Sequence, residues 1–269
     1  MKPMNKTLFL VDLKANWRII LFISLVFMIY VLTSVLMYDP ASIEKLEQMF
    51  TLFPEGMLKA LGFDTLGTDM TGYVAHYLYG FIAIIFPLIY VAIVANKLVA
   101  KHVDSGSMAY LLTTPVTRVT VGVTQAVFHV AGLLLIFIFD IGVLIILSAA
   151  VFPGMLDVGR FLLLNFVTLM SLTVAGGIGF LFSCLFNDSR NSLSFGAGIP
   201  IAFFVFKMVS EIGAKLESFK YLSVFSLIQI DKILEDTLYG LGVGLILLAV
   251  SAGLYGLGVV IFNKKSLAI

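Results

Sequence analysis

Charge is what this chain has least of. Lys and Arg together number 17 and Asp and Glu 16, or 12% of 269 residues, about half the charged share of an ordinary soluble domain. The two signs nearly cancel, at +1, which leaves no basic footprint for nucleic acid. Cysteine occurs once, as Cys184, so no intrachain disulfide can form, and its apolar surroundings in sequence make it a small packing residue. No Gly-Lys pair occurs anywhere, which removes the loop that cradles nucleotide phosphates. His76, His102 and His129 are far apart, with no His-Glu-x-x-His and no cysteine pair, so no metal site and no cofactor are expected. A Gly-x-Ser-x-Gly elbow is missing too. These absences describe a conduit rather than a catalyst.

What is abundant is apolar surface. Hydrophobic residues make up 60% of the chain and mean hydropathy is +1.07, more than a soluble protein can hide, so lipid must cover it. Six runs, 19–38, 73–97, 119–151, 161–186, 191–210 and 238–262, are each read as a span of the hydrocarbon, which needs about twenty residues at 1.5 Å per residue. Pro87 should kink the second. The fifth is short before Lys207, whose ammonium is expected to snorkel outward. Cationic residues 2, 6, 14 and 18 flank Met4, Leu8, Val11 and Ala15 on one helical face, with Trp17 at the headgroup level. Residues 1–18 therefore read as an interfacial elbow helix. The apolar run of about twenty residues that follows has no small-residue cleavage site, and reads as an anchor rather than a cleaved signal.

Between spans, two segments carry helical periodicity rather than free polar character. In 39–72 the repeat is Ile43, Leu46, Met49, Phe50 and Phe53. In 211–237 it is Ile212, Leu216, Phe219 and Leu222, then Ile230, Ile233 and Leu234, as expected of a piece that dips into the membrane and returns. Six spans put both termini on one side. That side holds ten Lys and Arg against seven on the other, a bias that favours cytoplasmic termini.

The segment 100–118 is a polar island with an apolar knob. Asp104 or Ser105 is placed to cap a short helix, Pro115 to stop it, and Met108, Leu111 and Leu112 to share one face. The run Gly106-Ser107-Met108-Ala109-Tyr110-Leu111-Leu112, followed by Pro115-Val116-Thr117-Arg118, resembles the first cytoplasmic loop of ABC-2 type permeases. Their usual pattern is an acidic residue, Gly-Thr, a Leu-Leu pair and Pro-Val-Ser-Arg. His102 stands where that family usually has Glu, and Gln125 where a Lys often follows.

The resemblance implies an all-α polytopic membrane protein with six transmembrane helices and an N-terminal interfacial helix. It implies a permease subunit of an ATP-driven exporter, working as a pair of protomers with ABC ATPase subunits that hold the ATP and Mg. The loop would be the coupling helix seated in an ATPase groove, with Asp104, Gly106, Met108, Leu111, Leu112, Pro115 and Arg118 in that contact. Asp188 and Arg190, in the short loop 187–192, would form a second, smaller one. Phe203, Phe204 and Phe206 on the fifth span could line an apolar path. The expected setting is the plasma membrane of a prokaryotic cell, with an amphipathic substrate such as a peptide, a lipid-like molecule or a hydrophobic antibiotic.

Within the third span, Asp140 and His129 are eleven residues apart, on one helical face. An ion-coupled transporter or channel built on them is the rival reading; packed polar groups in a bundle is the plainer one. Small residues at 175–179, Gly196 with Gly198, and Ala249, Gly253 and Gly256 read as close helix approaches.

Overall fold

In lipid each backbone N–H and C=O must be paired within its own segment, so long apolar runs fold as helices. A computed structural model gives the fold of residues 4–39, 52–60, 67 and 69–265. Among them six helices, or chains of helices, are long and apolar enough to cross a membrane. The first is α1, Lys6–Leu36. After α2, Glu55–Ala60, the second comprises α3 (Met70–Tyr79), α4 (Ile82–Leu98) and α5 (Ala100–Asp104). A short α6, Ser107–Leu112, leads to α7, Arg118–Val151, then α8, Val158–Leu185, and α9, Ser189–Glu211. Two 3₁₀ turns and α10, Ile230–Glu235, precede α11, Thr237–Lys264. Ile43, Leu46, Met49 and Phe50 lie outside the described residues.

Residues 6–18, expected as a separate elbow, continue into the span without a break. The reason lies in which face is buried. Asp12, Asn16, Ile20, Ile23, Phe27 and Val31 form one stripe at three- and four-residue spacing. That stripe faces α7, where Phe9 meets Phe128 edge to face at 5.6 Å. A bend at residue 18 would split it. Val11, expected on the inner apolar face, is 55% exposed and Ala15 is exposed too. The buried side of this segment is mixed: Asp12 and Asn16 face inward beside Leu8, Phe9 and Leu13, while the cations and Val11 face outward.

The second span is interrupted, but not where proline predicts. Pro87 lies inside α4, while the backbone departs from helix at Phe81 and again at Val99. At the first break the Ile84 N–H turns to the Phe81 carbonyl at 3.2 Å. The Gly80 carbonyl instead accepts from Lys207 Nζ at 3.1 Å. Lys207 thus does not snorkel: it is 3% exposed and is also paired with Glu211. At the second break the Ala100 N–H donates to Ser183 Oγ at 2.9 Å.

Helix α8 is the central post, packed on α4, α7, α9 and α11. Its glycines permit this: a Cβ at Gly177 would sit 2.8 Å from that of Leu254, and one at Gly179 2.8 Å from that of Ala95. On α11 the close approaches fall at Gly240, Gly244 and Gly258, because the buried stripe runs Gly240, Gly244, Leu247, Ser251, Tyr255, Gly258 and Phe262. Gly253 and Gly256, expected there, lie on the open face, as does Gly198 on α9.

Both described chain ends lie on one face. The Asn5 N–H donates to Thr124 Oγ1 at 3.0 Å near the start of α7, and Arg118 reaches Lys265. On the opposite face the segment after α9 folds back into the bundle. Phe225 and Ile233 are fully buried, and Phe225 meets Phe204 at 6.3 Å.

Candidate functional site

The polar island folds as two helices at a sharp corner. Gly106 turns it with a left-handed backbone (φ 72°), which side chains with a Cβ rarely adopt. No described atom would lie within 4 Å of a Cβ there, so within this chain the need for glycine is conformational. Asp104 and Ser105 belong to the end of α5, where the Ser105 N–H returns to the Lys101 carbonyl. For that reason neither caps α6, which starts without a side-chain cap. His102, where the resembled pattern has Glu, braces the corner instead, with Nδ1 2.9 Å from Ser107 Oγ.

The knob is divided. Met108 is 2% exposed and belongs to the core; Leu111 is half-buried against it. Tyr110, on the other side of α6, is 80% exposed. Leu112 lies in α6 as well. Beyond it Thr114 Oγ1 donates to the Leu111 carbonyl at 2.6 Å, Pro115 is exposed, and Thr117 caps α7 through the Thr120 N–H. The surface offered outward is thus Tyr110, Thr113, Thr114 and Pro115, with Asp104 beside it.

Arg118 does not point to solvent. Its Nη1 donates to the Lys265 carbonyl at 2.6 Å. Lys265 Nζ in turn donates to the carbonyls of Cys184 and Phe186 at 3.0 and 2.7 Å, closing the end of α8. Burial pushes this ammonium's pKa below the usual lysine range. Next to it Asp188 caps α9, and the Asn191 backbone N–H is the main cause that holds its carboxyl below the usual range. Asn96 Nδ2 donates to Ser189 Oγ at 2.8 Å, tying α4 to the start of α9. The loop at 187–190, with exposed Arg190, is therefore held on one side by Lys265, through the carbonyls of residues 184 and 186, and on the other by Asn96 of α4.

The family model for ABC-2 family transporter proteins matches residues 12–267. The chain belongs to the ABC-2 transporter family. Comparison with curated proteins and with solved structures gives no significant match. As an ABC-2 permease the chain is the membrane subunit of an ABC transporter, without an ATP site of its own, and membership implies an ABC ATPase partner.

The permease does not gather the expected path residues on one surface. Phe204 is buried between Phe81 and Phe225, and Phe206 lies against Phe219, because this side of α9 is covered by the segment that folds back after it. Phe203 is half-buried. The open side of α9 carries Ser194, Gly198, Ile201 and Val205.

His129 and Asp140 do share the buried face of α7, but they are not joined. His129 Nδ1 lies 2.7 Å from Tyr255 Oη, while both oxygens of Asp140 lack a hydrogen-bond partner among the described residues. Asp140 lines a small gap with Tyr79, Leu144 and Asn165. An ionised carboxylate at mid-span costs about 2.5–3.5 kcal/mol on insertion scales. Asp140→Asn, equal in size and neutral, is accordingly expected to change stability by less than about 1 kcal/mol and to leave transport in vesicles largely intact. Loss of transport in a folded variant that keeps its ATPase would make Asp140 part of an ion path.

Sequence reasoning missed the roles of Tyr110 and Lys265 and turned Lys207 outward. Two left a signal: Lys207 as a cation within a span, and Tyr110, which stands opposite Met108 on a short helix and suits a surface that is alternately wet and buried.

Proposed function

We propose that this ABC-2 permease exports an amphipathic molecule (a peptide, a lipid-like compound or a hydrophobic antibiotic) as a pair of protomers carrying two ABC ATPase subunits. ATP and Mg act on those subunits. Their closure bears on the α5–α6 corner, and α6 passes the load into the bundle because Met108 is anchored there while Tyr110 faces out. That division of one short helix, half seated in the bundle and half presented, is the observation that carries the reading. The loop at 187–190 supplies a second contact held in register by Lys265 and Asn96.

In this reading the termini, the α5–α6 corner and the loop at 187–190 face the cytoplasm, and the segment 211–237 faces outward across a prokaryotic plasma membrane. The test is labelling and capture together. Tyr110→Cys should resist a membrane-impermeant thiol reagent in sealed cells, whereas Tyr221→Cys, at a side chain 82% exposed on the opposite face, should react. An ATP-binding subunit should copurify in mild detergent. Labelling at 110 from outside would invert the topology, and a chain that never carries an ATPase would remove the export reading.

A further inference from the structure

A cavity of about 350 Å³ opens on the face opposite the termini, within the size range of small-molecule sites. Its walls come from α2, α3, α9 and the returning segment. Four lysines line it, Lys59, Lys207, Lys220 and Lys232, against two carboxylates, Glu211 and Asp231. Burial is graded. Lys207 and His76 lie at the bottom, and Asp231, whose Oδ1 is 3.0 Å from His76 Nε2, is 71% exposed. Lys220 is held by Glu217, and Lys232 rests over the Tyr239 ring. Ile228 and Ile230 add an apolar part.

Lys207 is the unusual member. A lysine buried this deeply is costly unless its charge is met. All three ammonium hydrogens are used: one on the Gly80 carbonyl at 3.1 Å and two on the Glu211 carboxylate at 2.8 and 3.1 Å. Glu211 lies one turn along α9, and its side chain is 34% exposed, so it can leave for water. We infer that the cavity binds an oxyanion, a phosphate or carboxylate group, by exchange with Glu211, which occupies the Lys207 ammonium when no ligand is there. Exchange of one oxyanion for another keeps every Lys207 hydrogen bond and the charge pairing; an uncharged ligand can accept the hydrogen bonds but leaves the buried ammonium without its counter-charge. The bond to Gly80 places the exchange at the interruption of the second span, whose far end is the α5–α6 corner.

The inference does not depend on an ATPase, so it can fail separately from the export reading. Full-length protein in neutral detergent is titrated with dihexanoylphosphatidic acid, inorganic phosphate, acetate and uncharged dihexanoylglycerol. At least one of the three anions should raise the thermal midpoint and slow thiol labelling of Ser210→Cys in the cavity wall, and dihexanoylglycerol should do neither. Binding of the lipid alone assigns the site to a headgroup, and binding of phosphate or acetate to a free anion; both support it. Glu211→Gln should tighten anion binding about threefold or more, because the internal competitor is weakened, and Lys207→Met should weaken it at least about tenfold. No anion binding by the wild type, no protection at position 210, or unchanged affinity in folded Glu211→Gln or Lys207→Met would overturn the inference. If either variant fails to fold, the wild-type titration and the protection at position 210 decide.

Discussion

Tyr110→Asp is expected to separate the permease from its ATPase without unfolding it. The side chain touches little of its own chain, so folding should be within about 0.5 kcal/mol of wild type. Burying a tyrosine-sized surface in a partner groove contributes about 1.5–3 kcal/mol, so its loss should weaken the contact tenfold or more, and a carboxylate that must be desolvated adds to this. Met108→Ala should do the reverse. It removes a side chain from the core, at a cost of about 2–5 kcal/mol in stability. Leu111→Asp, at a half-buried position, should show both defects. ATPase retention in detergent and thermal unfolding separate the three. Full retention with ATP-dependent transport in Tyr110→Asp would remove α6 from the coupling contact.

Lys265→Met should loosen the terminal face. It strips two carbonyls at the end of α8 of their donor, and each unsatisfied buried acceptor costs about 1–3 kcal/mol. The expected result is a drop in thermal midpoint and faster amide exchange near residues 184–190, with ATPase stimulation reduced. Lys265→Arg should restore part of each, since a guanidinium still donates. Arg118 would stay bonded in both variants, because it uses the backbone carbonyl of residue 265. Unchanged exchange at 184–190 would show that Lys265 does not hold this loop.

The six-helix architecture was legible because it follows from run length alone: in lipid a long apolar stretch has no alternative to a helix. Facing was less so. Periodicity put Met108, Leu111 and Leu112 together, but it does not say what covers a shared face, and the protein's own core covers Met108. At the start of α1 the buried stripe includes Asp12 and Asn16, so apolar periodicity put Val11 on the inner face when it lies outside. The partner of Lys207 could not be read, because the Gly80 carbonyl becomes available only through a break in a helix 127 residues away. The break itself carried a weak signal, the Gly80-Phe81 pair ahead of Pro87, which drew attention to the proline instead.

The polar stripe of α1 bears on how the chain is made. Asp12 and Asn16 face α7, and Gln125 on that helix is synthesised about 110 residues after Asn16. At a translation rate of roughly 5–20 residues per second, the gap is on the order of 5–20 s. Through that interval α1 is in the membrane without the neighbour that will cover its polar side. Because Asp12 and Asn16 lie in its first three turns, they can wait near the headgroups, where water still serves them. α1 is therefore made well before the helix that encloses its polar stripe.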